Sequence, residues 1–72
     1  MYAFRLNQKE YEVFKAVARG IMQENKMSIH DLAKQTGYSK QSMYNFFGSK
    51  GNSRFVAFAI ARELGIRRSD LK

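Results

Sequence analysis

This sequence lacks several residue types on which catalytic and metal sites depend. It contains no cysteine and no proline, and His30 is its single histidine. The absence of cysteine excludes disulfides, thiolate zinc sites and thiol nucleophiles, and a lone histidine excludes a histidine-based metal cluster. No apolar run approaches the roughly 18 residues that span a membrane, and no secretory signal pattern opens the chain. We therefore expect a soluble intracellular protein that binds no metal and no membrane.

Acidic residues are also scarce, and the charge balance indicates an anionic partner. Six Asp and Glu against 13 Lys and Arg give a net charge of +7. A domain this basic is attracted to polyanions, of which nucleic acid is the commonest. Solubility alone is the alternative explanation for the charge.

The length of the chain argues against an enzyme. A domain of 72 residues has one thin core, because it buries only about 60% of its unfolded surface, and it has no volume for a deep catalytic cavity. The sequence also offers no metal set, no activated nucleophile and no phosphate-cradling glycine loop. We expect no catalysis, no cofactor and no small-molecule ligand.

Helix start and stop signals predict an all-α chain with short connections. A capping Asn or Ser precedes each segment of helical periodicity, and a Gly follows most of them. The predicted caps are Asn7, Ser28, Ser39 and Ser53. The predicted helices extend from these caps to about Asn25, to Thr36, to Phe47 and to Leu64. The first and second caps also have an acid three residues later, which is the capping-box pattern.

The segment LAKQTGYSKQSM, residues 32–43, has the pattern with the most functional content. A short helix, a tight turn at Gly37 and a second short helix after Ser39 form a helix-turn-helix arrangement. Tyr38 is expected to plug this turn into the core, and Met43 to anchor the third helix. We interpret residues 1–72 as a single helix-turn-helix domain of four to five helices, with an N-terminal arm (1–6) and a charged tail (67–72).

Helical spacing also predicts which apolar residues form the core. We expect a phenylalanine cluster of Phe46, Phe47, Phe55 and Phe58 there, together with Ala59 and Ala61. Gly20 inside the first helix costs about 1 kcal/mol relative to Ala, which suggests a close packing neighbour at that position. Tyr2, Phe4 and Tyr44 do not fit the core face, so each is either covered locally or contacts a partner. His30 is expected to be solvated.

The outer face of the third helix is the candidate for reading DNA bases. Residues rotate by about 100° per position on a helix, so burial of Met43 and its neighbours points Gln41 and Asn45 away from the protein. Paired amide donors and acceptors match adenine in the major groove, and Lys suits guanine or phosphate. A merely solvated face would contain acids as readily, and this one has none. We assign base reading to Lys40, Gln41, Ser42 and Asn45.

The segments MSIHDLAKQTGYSKQSMYNFFGSK and SRFVAFAIARELGI resemble the Xre/Cro–CI family of phage-type helix-turn-helix proteins. The resemblance covers roughly residues 10–66 and implies that Lys40, Gln41 and Asn45 read bases in double-stranded DNA. In that family the loop after the recognition helix contacts backbone phosphates. This resemblance implies phosphate contacts by Lys50 and Arg54. We add the hydroxyls of the cap residues Ser28 and Ser39 to the expected contacts with the DNA backbone.

Two positions depart from the pattern of that family. Ile29 stands where the family often has a Gln that touches phosphate. Phe47 stands before Gly48, where the family often has a Glu paired with an Arg of the first helix. The departures predict a missing phosphate contact and an apolar contact in place of a buried ion pair. The segment SKQSMYNFFGSK is also similar to the tetracycline-repressor-type reader, but that family carries a large ligand domain for which 72 residues leave no room.

The resemblance implies a regulator of the lysis–lysogeny switch of a temperate phage, in the cytoplasm of a bacterial host cell. Two functions stay open: a Cro-like repressor that binds operator DNA through its third helix, and an antirepressor that binds a CI-type repressor and blocks its DNA-binding surface. Apolar anchors at Met22, Ile29 and Tyr44 favour the antirepressor. Burial of Ile29 within the domain is the competing explanation. The oligomeric state is open, a homodimer included.

Overall fold

The computed structural model describes residues 6–48 and 53–71. Within these ranges the chain forms helices α1 (Gln8–Glu24), α2 (Ile29–Thr36), α3 (Lys40–Phe47) and α4 (Arg54–Leu64), followed by a 3₁₀ helix (Arg68–Leu71). These ranges contain no strand. The prediction of an all-α helix-turn-helix domain is therefore confirmed.

Local hydrogen bonds begin the first two helices where the sequence predicts them. The side chain of Asn7 accepts from the Glu10 N–H at 2.8 Å, and the Glu10 carboxylate accepts from the Asn7 N–H at 2.9 Å. Ser28 and Asp31 make the same reciprocal pair at 3.1 and 3.0 Å. Because each pair satisfies two backbone donors that a helix start leaves open, both starts are defined by a few neighbouring residues.

Two glycines end helices in the left-handed conformation. Gly37 ends α2 with φ of 82°, and Gly65 ends α4 with φ of 73°. A residue with a Cβ is disfavoured at such a φ, whereas Gly adopts it at no steric cost. The sharp reversal at Gly37 brings α3 back against α2.

The core is centred on one aromatic side chain of α3. The ring of Phe46 lies edge-on to Tyr11, Phe14 and Phe47, with centroid distances of 6.3, 5.9 and 5.4 Å. The largest fully buried side chains are Phe14, Leu32, Met43, Phe46 and Ile60. Since they come from all four α-helices, these helices share one core, and the inner face of α3 packs into it.

The buried face of α4 differs from the prediction. Phe55 is 61% exposed, and Phe58 and Ala59 are only half-buried. The core instead receives Val56, Ala57, Ile60 and Ala61. At about 100° per residue, Phe55 lies on the side opposite to this stripe. The expectation that all four phenylalanines of the cluster are core was wrong for Phe55.

Two further expectations were wrong because of local exposure, and burial limits the role predicted for a third residue. Tyr38 is 37% exposed, since the turn between α2 and α3 lies on the surface instead of plugging the core. A Cβ at Gly20 would meet no atom within 4 Å, so this exposed glycine has no close packing neighbour. Met22 is only 6% exposed and belongs to the core, which leaves little of it for a partner.

The C-terminal tail is more structured than its charge suggests. Leu71 is buried at the end of the 3₁₀ helix, which packs against α1. The Asp70 carboxylate accepts from the Arg67 N–H at 2.9 Å and begins that turn. The expectation of a merely charged tail overlooked this apolar side chain. Residues 1–5 of the predicted arm lie outside the described residues. Leu6, the last residue of the arm, is described and is half-buried against the core.

Candidate nucleic-acid interface

The outer face of α3 is polar, exposed and free of acids. Lys40, Gln41 and Asn45 are exposed, and Ser42 is half-buried. Tyr44 joins them with 53% of its surface exposed. The helical rotation argued from Met43 therefore assigns the outward direction correctly. The four predicted base-reading residues lie within two turns of one helix.

The two amide side chains on this face are hydrogen-bonded to each other. Gln41 Nε2 donates to Asn45 Oδ1 at 3.1 Å. This contact uses one hydrogen of the Gln41 amide and one lone pair of the Asn45 amide. The Gln41 Oε1 acceptor and the Asn45 NH₂ donor lie beside it on the exposed face. An adenine edge presents the complementary pair, an N6 donor and an N7 acceptor.

The predicted backbone contacts at helix starts are cap residues. The Ser39 hydroxyl accepts from the Ser42 N–H at 3.1 Å and lies 3.0 Å from the Ser42 hydroxyl. The Ser28 hydroxyl caps α2, and the backbone N–H of Ser28, with its hydroxyl, lowers the pKa of Asp31 below its ordinary value. A capping hydroxyl accepts with its oxygen and can still donate its own proton to a phosphate.

Arg54 begins α4 at the edge of the segment 49–52, which contains Lys50 and lies outside the described residues. The Arg54 guanidinium lies 5.4 Å from the centroid of the exposed Phe55 ring. Its charge also acts on Tyr11: burial raises the pKa of this phenol, and Arg54 lowers it by a smaller amount. Arg54 is exposed and projects beside an aromatic surface that sequence reasoning placed in the core.

At Phe47 the family resemblance predicted an apolar contact in place of an ion pair. The structure shows a cation–aromatic contact there instead. Arg19 of α1 places its guanidinium 5.5 Å from the centroid of the Phe47 ring. Its Nη2 atom also donates to the Phe47 carbonyl at 3.1 Å. The expectation that no carboxylate pairs with the first helix at this position was correct. It did not foresee that the charged guanidinium of Arg19 would contact the Phe47 ring. No local pattern could reveal it, because the two residues are 28 positions apart.

An open apolar groove of about 680 Å³ lies beside the outer face of α3. It is formed by the end of α1, the start of α2 and the end of α3. Its apolar lining residues are Met22, Met27, Ile29, Tyr44 and Phe47. Ile29 is half-buried and packs against the core, which supports the burial explanation in part. It also lines the groove, and its role as an anchor for a partner stays a prediction. Sequence reasoning did not single out Met27.

A second cleft of about 520 Å³ lies at the turn of the helix-turn-helix. Lys34, Lys40 and His30 contribute positive or titratable groups to it, and Tyr38 and Asp31 complete its polar lining. Lys34 was missed because its position in the last turn of α2 fits an ordinary solvated side chain. The structure places it close to the start of α3, next to the predicted reading face.

Two kinds of feature are absent from the part of the chain that the structure describes. Across residues 6–48 and 53–71 there is no group of three or more His, Cys, Asp or Glu side chains that could hold a metal ion. Over the same residues, no helix combines the length and the apolar character required to cross a membrane.

The fold and the polar outer face of α3 together define a helix-turn-helix protein of the DNA-binding class. The family model of the Cro/C1-type helix-turn-helix DNA-binding domain matches residues 19–71. The match covers most of the chain, and the chain belongs to this family. It supports a DNA-binding transcriptional regulator. No curated protein and no solved structure matches the chain.

Proposed function

We propose that this protein regulates transcription in the lysis–lysogeny switch of a temperate phage, in the cytoplasm of its bacterial host, by binding operator DNA through α3. The observation that carries the proposal is the hydrogen-bonded amide pair Gln41–Asn45 on an exposed face without acids. The hydrogen-bonded pair presents the Gln41 acceptor and the Asn45 donor side by side, which is the arrangement complementary to an adenine edge.

In this proposal the contacts divide into base reading and backbone binding. Gln41 and Asn45 read base edges, while Lys40 and Ser42 flank them at the start of α3. The backbone contacts are the cap hydroxyls Ser28 and Ser39, and the cations Lys50 and Arg54. A homodimer would place two copies of α3 on neighbouring half-sites of an operator.

The first prediction tests base reading with single-residue variants. Gln41→Ala and Asn45→Ala should each lose roughly 1–3 kcal/mol of binding energy on the preferred site and much less on random DNA. Because the two amides are hydrogen-bonded, the double variant should lose less than the sum of the two single losses. The measurement is a mobility-shift titration on duplexes enriched by the wild-type protein from a random pool.

Gln35→Ala is the matched control, since it removes an exposed amide from the neighbouring α2 and should leave both affinities unchanged. Equal losses on the enriched and the random duplexes would show that Gln41 and Asn45 are not base readers. A wild-type protein that enriches no sequence would contradict operator binding itself.

The apolar groove favours a second function, that of an antirepressor. In this alternative the groove binds an apolar side chain of a CI-type repressor. The bound protein then covers the DNA-binding surface of that repressor. Tyr44 is its most accessible anchor, and aromatic residues of this kind often dominate small interfaces. The groove continues onto the proposed reading face through Tyr44, so occupation of one surface would obstruct the other.

The second prediction separates these two functions. Tyr44→Ala should reduce co-purification with a CI-type repressor from the same genome at a cost of roughly 2 kcal/mol or more, if Tyr44 is an interface anchor. Ile29→Ser is a second probe of the groove. Because the half-buried Ile29 side chain also packs against the core, the melting temperature of this variant must be measured in parallel. Full capture of the repressor by a folded Tyr44→Ala protein would remove the support for the antirepressor.

A further inference from the structure

Two side chains of α1 hold the C-terminal end of α3. The last carbonyls of a helix have no partner within the helix, and α3 has no basic residue in its own last turn. Arg19 Nη2 donates to the Phe47 carbonyl at 3.1 Å, and Lys15 Nζ donates to the Gly48 carbonyl at 3.3 Å. The positive charge that favours a helix C-terminus is therefore supplied by another helix.

The same two cations also lie over neighbouring aromatic rings. Lys15 Nζ is 5.2 Å from the centroid of Phe46, and the Arg19 guanidinium is 5.5 Å from that of Phe47. Lys15 and Arg19 are four residues apart and share one side of α1. Each of them contacts one ring and one carbonyl. Two hydrogen bonds and two cation–aromatic contacts therefore join α1 to the C-terminal end of α3.

From this geometry we propose that Arg19, supported by Lys15, is a positioning residue that sets the orientation of α3 and hence of the Gln41–Asn45 pair. The inference rests on the proposed function of α3 in reading DNA. Helix α3 has eight residues, so a tilt of its last turn displaces Asn45 within that turn and Gln41 about one turn earlier. Base-edge hydrogen bonds depend steeply on geometry, whereas attraction to phosphates depends mainly on charge.

Hydrogen exchange of the backbone amides tests the attachment without DNA. The variant Arg19→Met keeps an unbranched stem and removes the charge and the donor. We expect protection in the last turn of α3, including the Gly48 N–H bonded to Tyr44 O at 2.9 Å, to fall about fivefold or more. Protection in α2 and α4 should be unchanged.

Two variants control this measurement. Arg62→Met removes the same charge from an exposed position in the last turn of α4 and should leave the protection of α3 unchanged. In a Phe47→Leu background, which lacks the ring, Arg19→Met should have a smaller effect, because the two partners act together. Unchanged protection in Arg19→Met, or a uniform loss over all helices, would overturn the proposal.

DNA binding then tests the consequence for reading. The affinity ratio between the enriched and the random duplex should fall about threefold to tenfold in Arg19→Met, with the salt dependence unchanged. An equal loss on both duplexes with a shallower salt slope would make Arg19 a phosphate contact and overturn the positioning role. If the wild-type protein discriminates between no sequences, the proposed function fails, and the exchange result then assigns Arg19 a structural role alone.

Discussion

Gly20 is a single residue that lowers the stability of α1. It lies within the longest helix of the described ranges, is exposed, and a Cβ there would meet no atom within 4 Å. Gly costs more conformational entropy than Ala in a helix and gains nothing here in return. We expect Gly20→Ala to raise the free energy of unfolding by about 0.5–1 kcal/mol, measured by thermal and denaturant unfolding.

The same substitution at Gly37 provides the matched control. Its φ of 82° lies in the left-handed region, where a Cβ is strained. Gly37→Ala should therefore destabilise the protein by about 1–2 kcal/mol. A destabilised Gly20→Ala protein would mean that α1 is packed differently around this position.

On the scale of elements, the helix ends could be predicted and one helix face could not. The caps at Asn7 and Ser28 depend on hydrogen bonds between residues three apart, so the sequence contains the whole interaction. In α4 almost every position of the first turns is apolar, and Phe55 and Val56 compete for the core. The choice between them depends on the shape left by α1 and α2, which no local pattern contains.

The candidate site shows the same division. Exposure of Gln41 and Asn45 follows from helical rotation relative to Met43, and the structure places both outward as predicted. Their mutual hydrogen bond could have been considered, because residues four apart on a helix are neighbours. The family resemblance anticipates an Arg of the first helix beside Phe47, but the cation–aromatic geometry of Arg19 could not be predicted, because it depends on how α1 crosses the end of α3.

The observed face of α4 leads to opposite expectations for two large side chains. Ile60→Ala should cost roughly 2–5 kcal/mol, because a fully buried side chain leaves a cavity. Phe55→Ala should change stability by about 0.5 kcal/mol or less, since the ring is mainly in solvent. Denaturant unfolding of both variants provides the measurement, and a larger loss in Phe55→Ala would reverse the assignment of the α4 face.

At the scale of the whole molecule, the net charge of +7 favours binding to any nucleic acid. If Lys40, Lys50 and Arg54 contact phosphates, each contact releases condensed counterions from DNA. The logarithm of the binding constant should then fall with the logarithm of salt concentration with a slope steeper than about −2. Titrations at several salt concentrations measure this slope.

Removing one of these cations provides the internal comparison. Arg54→Gln should weaken binding similarly on all sequences and make the slope shallower by about 1. A wild-type slope flatter than about −2 would contradict a backbone clamp made by these three residues.

The burial of Leu71 against α1 also concerns the order of events during synthesis. The 3₁₀ helix at the end of the described ranges packs on α1, which is synthesised before the other described helices. The caps of α1 and α2 join residues three positions apart and can form early, whereas the core joins α1 to residues of α3 and α4 that are synthesised later. The core stays open on the side of α1 that the 3₁₀ helix covers until Leu71 has been synthesised and has left the ribosome. A ribosome stalled shortly before this point would hold a nascent chain with an exposed apolar surface.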